Sequence, residues 1–126
     1  MSIRTERVAK LVQREVAELI GTEFSEQIQP LVTVTSARVT KDLSIAYIYV
    51  SILESTPEQR KASFRHLEGL TQKIRSALAS RIRHQLRTVP ELRFFLDESQ
   101  FEASKMEDLF AKIRAERARR GVEDDE

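Results

Sequence analysis

The chain of 126 residues contains no cysteine. Structural disulfides, thiolate metal sites and cysteine nucleophiles are thereby excluded. Its three glycines, Gly21, Gly69 and Gly121, lie far apart. A Walker-type or dinucleotide-type phosphate cradle needs clustered glycines for close backbone approach, so neither is available. His66 and His84 are the only histidines, and neither stands in ligand spacing with the other or with a carboxylate pair. Both read as surface or amphipathic residues. No apolar run approaches the roughly 18 residues of a membrane span. Residues 1–14 are mixed-charge and lack the apolar core of a secretory signal. The expectation is a cytoplasmic protein without metal, cofactor or membrane attachment.

What is present is charge, unevenly placed. Hydrophobic residues make up 40% and charged residues 33%, which suits one globular domain with a heavily charged surface. The formal net charge is only +1, yet residues 60–93 carry nine Lys or Arg against two acids, Glu68 and Glu91, a local charge of +7. A near-neutral domain that concentrates its cations on one element presents that element to a polyanion.

Residues 3–20 place Val8, Leu11, Val12, Val16, Leu19 and Ile20 at helical spacing, with Gly21 as terminator. A polar connection over 23–30 leads to two strands. The first, from Leu31 to Thr40, shifts apolar parity between Val34 and Ala37, which predicts a bulge near Thr35 and Ser36. The second, Ser44 to Leu53, is apolar on both parities, as a strand covered on both faces would be. Lys41, Asp42 and Leu43 form the hairpin turn between them. Thr56, Pro57 and Gln59 make a capping box that starts a helix. This helix kinks near Gly69 and a second continues to about Arg87. Pro90 ends helix potential, and Leu92 to Leu96 is a short strand. From Phe101 to Arg120 a last helix turns Met106, Leu109, Phe110 and Ile113 inward; Gly121 stops it. The organisation is a domain over 1–100, a C-terminal helix over 101–120 packed on or extending from it, and a disordered acidic tail over 121–126. The fold class is α+β.

Projecting residues 70–87 as a helix, at about 100° per residue, places Leu70, Ile74, Ala77 and Leu78 on one stripe. Lys73, Ser76, Ser80, Arg83 and Arg87 fall opposite, with Arg75 at the flank. Guanidinium groups grip phosphate oxygens, while small hydroxyl residues let a backbone come close. Arg81 falls beside the apolar stripe, where either a helix distortion or a snorkelling side chain would accommodate it. Most charged helix faces are simply solvated. Between Lys73 and Arg87, however, there is no acid, and unbalanced repulsion at i,i+4 costs a few tenths of a kcal/mol per pair. The candidate phosphate contacts are therefore Lys73, Arg75, Arg83 and Arg87, then Arg81 and Arg93. Arg4, Arg7 and Arg14 on the first helix form a second surface.

Catalytic readings fare worse. Asp97 and Glu98 could pair as carboxylates, but acids just ahead of a helix more often cap it and meet its dipole. Tyr47 and Tyr49 share a strand face and could stack bases, although with two aromatics alone they read as sheet packing. An acylphosphatase-like hydrolase needs a positioned Arg and Asn, and the chain has no asparagine. The chain reads as a binding protein, not an enzyme.

Three blocks in order resemble the ribosome-binding factor A family. They are Arg4-Thr5-Glu6-Arg7-Val8 with Leu11 to Glu15; Val39 to Leu43 with Ala46, Tyr49, Val50 and Ser51; and Ile74-Arg75-Ser76 with Arg83, then Val89-Pro90-Glu91-Leu92, Phe94, Asp97 and Ser99. The resemblance implies a single type II KH-like domain, ordered α-β-β-α-α-β plus a C-terminal helix, with a three-stranded mixed sheet packed on helices. It implies a non-enzymatic protein that binds the immature small (30S) ribosomal subunit and its 16S rRNA during late processing. A monomer is expected, with an assembly GTPase as a further partner. The family's Ala-x-Gly kink between the middle helices is replaced here by Leu70-Thr71-Gln72 after Gly69. The competing reading is a protein-interaction module whose basic face meets an acidic partner such as a translation GTPase.

Overall fold

The computed structural model describes residues 2–28 and 32–124. Its elements run α1 (Ile3–Gly21), β1 (Val32–Val39), β2 (Ile45–Ile52), α2 (Pro57–Gly69), α3 (Thr71–Ile82), β3 (Glu91–Leu96) and α4 (Ser99–Asp124). The fold is α+β, with the element order expected from the sequence.

α1 starts at Ser2, whose hydroxyl accepts the Thr5 N–H at 3.2 Å, a cap that satisfies one of the orphan amides of the first turn. Its apolar stripe, Val8, Val12, Val16, Leu19 and Ile20, is buried, and each such side chain contributes about 1.5–3 kcal/mol through lost water contact. The stripe packs on β1 and α3. The connection after α1 is less polar inside than its sequence suggests, because Phe24 and Ile28 join the core. Leu31, the expected first residue of β1, lies outside the described residues, as do Gln29 and Pro30.

β1 and β2 are antiparallel, β2 and β3 are parallel, and the sheet order is β1-β2-β3. The bulge falls where the parity shift predicts: Val34 pairs with Val50 and Ser36 with Tyr49, leaving Thr35 as the extra residue. Thr35 then becomes a tie point. Its hydroxyl donates to Asp97 Oδ2 at 3.0 Å, and its carbonyl accepts from Gln13 Nε2 at 3.5 Å. In the hairpin, Asp42 Oδ1 accepts from Ser44 N, Ser44 Oγ and Thr40 Oγ1 at 3.1, 2.7 and 2.7 Å. These bonds hold Leu43 at φ 61°, a left-handed conformation that costs a residue with a Cβ roughly 1–2 kcal/mol.

Helices cover one sheet face, and among the described residues the other is met by helix only at its end, where the first turn of α4 brings Gln100 to Ser51 at 3.2 Å. Ala46, Ile48, Val50, Leu92 and Phe94 meet Ile74, Leu78 and Ile82 of α3 and the α1 stripe in one core. The opposite parity of β2, expected to be covered, holds Tyr47 and Tyr49 half-exposed, with Phe95 beside them 44% exposed. Tyrosines suit that position because the ring packs laterally while the hydroxyl stays wet.

The capping box at α2 is formed: Thr56 and Gln59 exchange backbone-to-side-chain bonds of 3.2 and 3.1 Å. The kink sits at Leu70 (φ −95°, ψ 3°), which closes α2 and opens α3. Thr71 Oγ1 donates to the Glu68 carbonyl at 2.6 Å there. Gly69 keeps a negative φ and has open space where a Cβ would stand, so this kink needs no glycine.

Two boundaries differ from expectation. α3 ends at Ile82, five residues before Arg87. The amides of Gln85 and Leu86 both turn back to the Ile82 carbonyl, at 2.8 and 3.0 Å, and Leu86 and Val89 pack against the core. Burial of those two side chains outweighs continuing the helix. α4, in contrast, continues through Gly121 to Asp124; one interior glycine costs only about 1 kcal/mol relative to alanine. Asp125 and Glu126 lie outside the described residues. α4 extends from the domain. Met106, Leu109 and Phe110, expected inward, are 50%, 50% and 48% exposed. Past its first turn no other element of the described residues packs on it.

Candidate nucleic-acid interface

Of the exposed cations without an acid within ion-pair distance among the described residues, Arg4, Arg7 and Lys10 lie on α1, and Lys73, Arg83 and Arg87 lie on α3 and its continuation. Four of them converge around two neighbouring concavities. One, of about 470 Å³, is lined by Arg7, Val8, Lys10, Leu11, Arg14 and Gln85. The other, of about 450 Å³, is lined by Arg4, the Asp42–Ser44 turn and Gln85 to Thr88, including Arg87. Gln85 belongs to both, so the polar side of α1 and the connection from α3 to β3 make one continuous basic surface. Arg14 also contributes, with a loose 3.4 Å contact to Glu15.

This convergence joins the two surfaces that the sequence presented separately. It follows from the early end of α3. Once the chain turns at Ile82, Gln85 and Arg87 are carried toward the N-terminal half of α1 instead of continuing along α3. Lys10 lines the same concavity as Arg7 and was not among the candidate contacts read from the sequence. Its place at i+3 from Arg7 and i−4 from Arg14 on one helix face was the signal that could have found it.

Arg83 caps the end of α3 and is exposed. Lys73 is exposed in the first turn, about 15 Å away along the axis at 1.5 Å per residue. Ser76 and Ser80 lie between them, and Ser80 Oγ donates back to the Ser76 carbonyl at 3.4 Å.

The remaining expected contacts are engaged elsewhere. Arg75 is half-buried; its Nε and Nη2 donate to the carbonyls of Pro90 and Val89 at 3.1 and 2.9 Å, pinning the turn into β3. Arg81 Nη1 reaches Glu15 at 3.1 Å and Glu18 at 3.2 Å on α1. These two carboxylates hold its guanidinium even more firmly protonated than usual. Arg81 falls beside the apolar stripe because that side of α3 faces α1. Arg93 lies on the open sheet face, with Glu91 3.5 Å away.

The candidate catalytic groups also have structural partners. Asp97 Oδ1 accepts Ser99 N and Oγ at 3.0 and 2.6 Å, and those bonds, together with Thr35, hold its carboxyl below the ordinary range. Glu98 pairs with Arg60 at 3.2 Å. His66 Nε2 lies 2.6 Å from the Gln27 carbonyl.

Comparison with known proteins decides the family. The ribosome-binding factor A family profile matches residues 4–110. The chain belongs to the ribosome-binding factor A family. It is 44% identical over 114 residues to ribosome-binding factor A of Chlorobium luteolum, spanning 90% of this chain and 94% of that one. The crystal structure of ribosome-binding factor A from Thermus thermophilus superposes with a TM-score of 0.61 at 25% identity, covering 73% of this chain and 94% of that chain. A homology model of the Thermus thermophilus factor, fitted into the cryo-EM map of a 30S complex with that factor, matches with a TM-score of 0.54 at 27% identity. It covers 71% of this chain and 91% of that one. Membership in the family is consistent with the KH-like arrangement of α1, the sheet and the kinked α2–α3 pair.

Proposed function

We propose that this chain is a ribosome assembly factor that binds the immature 30S subunit on its 16S rRNA and assists late maturation. It docks the basic surface of α1 and the α3–β3 connection onto the RNA backbone. The observation that carries the reading is the convergence of Arg4, Arg7, Lys10 and Arg87 around the two concavities that share Gln85. Cations without acidic partners keep their full field for phosphate, and each neutralised phosphate releases counterions to solution. Lys73 and Arg83 extend the surface along α3, whereas Arg75 and Arg81 serve the fold. The 30S complex of the Thermus thermophilus relative supports the choice of partner.

The test is co-sedimentation with small-subunit precursors, using Arg83→Glu/Arg87→Glu beside the unaltered protein. The variant is expected to stay folded by circular dichroism and to lose the subunit peak. Unchanged co-sedimentation at moderate salt would overturn the surface assignment. Binding that survives nuclease digestion of the RNA would favour an acidic protein partner instead.

A further inference from the structure

The open face of the sheet forms an ordered grid that the basic surface above does not use. Strand register sets Arg38 opposite Tyr47 and Tyr47 opposite Arg93 in one row. The next row sets Ser36 opposite Tyr49 and Tyr49 opposite Phe95. The Phe95 ring lies 5.6 Å from Tyr49 at 26° and 5.7 Å from Tyr47 at 39°. Beside them is a concavity of about 330 Å³ lined by Arg38, Val39, Thr40, Tyr47, Tyr49 and Phe95. The first turn of α4 reaches the far end of this face, where Ser51 Oγ donates to Gln100 Oε1 at 3.2 Å, and no helix of the described residues packs over the rings.

We propose that this face is a stacking platform for unpaired bases, so that the protein holds a single-stranded RNA segment on the sheet. The inference rests on the RNA-binding reading and names the form of RNA this second face takes. The chemistry is that of single-strand recognition: aromatic rings offer π-faces to any base, and flanking guanidinium groups meet phosphates or stack in turn. Arg38 and Arg93 bracket the rings on β1 and β3, where a strand crossing the sheet would set its backbone. The concavity is shallow and open, and it seats one base against Tyr47, Tyr49 and Phe95. An apolar protein partner would be met less well, because the rim is charged on both sides, with Arg38 on β1 and Arg93, loosely paired with Glu91 at 3.5 Å, on β3. A duplex cannot use the platform, since its bases are already stacked on one another.

The chain provides its own reporter. Tyr47 and Tyr49 are its only tyrosines and it has no tryptophan, so intrinsic emission comes from the platform itself. Titration with an oligoadenylate of about ten nucleotides, within the span one binding face takes, is expected to quench that emission, while a duplex of equal length leaves it unchanged. Phe95→Leu, at an exposed position, is expected to weaken oligoadenylate binding roughly 5- to 150-fold, the loss of about one stacked base. Arg38→Glu should weaken it without touching the rings. Arg83→Glu/Arg87→Glu should lose the subunit yet keep the quench. Oligoadenylate that binds without quenching, with equal affinity for wild type and Phe95→Leu, would overturn the platform and leave the RNA-binding reading standing. Failure of wild type to bind either oligoadenylate or subunit would overturn both.

Discussion

Arg81 of α3 and Glu15 of α1 are joined at 3.1 Å, and Glu18 closes the same guanidinium from one turn further along. The only arginine that fitted neither stripe of the helix projection is thus a strut between two helices. Its role predicts a separation of effects. Arg81→Met should lower the melting temperature while leaving affinity for small-subunit precursors and its salt dependence unchanged. Arg83→Met, at the exposed cap two residues on, should do the reverse. Thermal denaturation and binding measured on the same two variants test the pair. A loss of affinity in Arg81→Met at unchanged melting temperature would return Arg81 to the interface.

The groove shared by α1 and the α3–β3 connection makes a quantitative prediction. If Arg7 and Lys10 each neutralise one phosphate, replacing either by Gln should flatten the slope of log affinity against log salt by about 0.7–0.9. The double variant should flatten it by about twice that, because independent phosphate contacts add. Titration with small-subunit RNA at several salt concentrations gives the slopes. Equal slopes in all four proteins would remove α1 from the interface.

α4 is amphipathic by sequence and solitary by structure. Met106, Leu109 and Phe110 are each about half exposed, so their burial contributes little to folding of the domain. Leu109→Ser/Phe110→Ser is expected to change unfolding free energy by no more than about 0.5 kcal/mol, the usual range for surface positions. A single core substitution, Leu78→Ala, should cost about 2–5 kcal/mol in the same urea titration. A loss in the α4 variant comparable to Leu78→Ala would mean that this helix packs on the domain in solution.

What was legible in the sequence follows from the range of each interaction. The α1 stripe, the capping box at Thr56 and the bulge at Thr35 are written within a few residues, and local periodicity or capping chemistry suffices to find them. The end of α3 was not, because no glycine or proline interrupts residues 83–87; docking of Leu86 and Val89 onto a distant core decides it. Arg75 and Arg81 were chosen by charge and helix angle, which are blind to the carbonyls of Val89 and Pro90 and to the carboxylates of α1. The stripe on α4 shows the same limit from the other side. Helical spacing reveals an apolar face but cannot say whether anything meets it. Phe95 joined Tyr47 and Tyr49 only through the parallel register of β2 and β3, which lies beyond any local pattern.

Two carboxylates link stability to acid pH. Asp42 is held below the ordinary range first by the Ser44 hydroxyl and then by Thr40. Asp97 is held there by the Ser99 hydroxyl and N–H and by Thr35. Folded pKa values below the unfolded ones mean that the unfolded chain binds more protons in the intervening window. Their stabilisation is therefore present above the unfolded value of about 3.9 and is lost as pH falls through the folded values. Melting temperature should be level near neutrality and drop below about pH 4. Asp97→Asn, which can still accept from Ser99 but does not titrate, should start lower and fall less steeply. An identical acid slope in wild type and Asp97→Asn would show that the carboxylate is not linked to folding.

Arg60 is buried, with its side chain 3% exposed, and three groups meet it: Glu98 at 3.2 Å, the Glu54 carbonyl at 2.9 Å and the Phe101 ring at 3.8 Å from its centroid. It links the start of α2 to the first turn of α4, and the arrangement predicts the sign of a coupling. Glu98→Ala leaves a guanidinium in the interior with one carbonyl and one ring. The cost should be about 2–3 kcal/mol, below the 3–5 typical of a fully buried pair because Glu98 is 28% exposed. Arg60→Met alone removes the buried charge and keeps much of the volume, at the expense of an unpaired Glu54 carbonyl. Once Arg60 is Met, Glu98→Ala has no cation left to strand. The double variant should therefore be more stable than Glu98→Ala alone, the opposite of additive loss. Urea unfolding of the four proteins closes the cycle, and additive losses would show that the pair contributes nothing beyond its separate contacts.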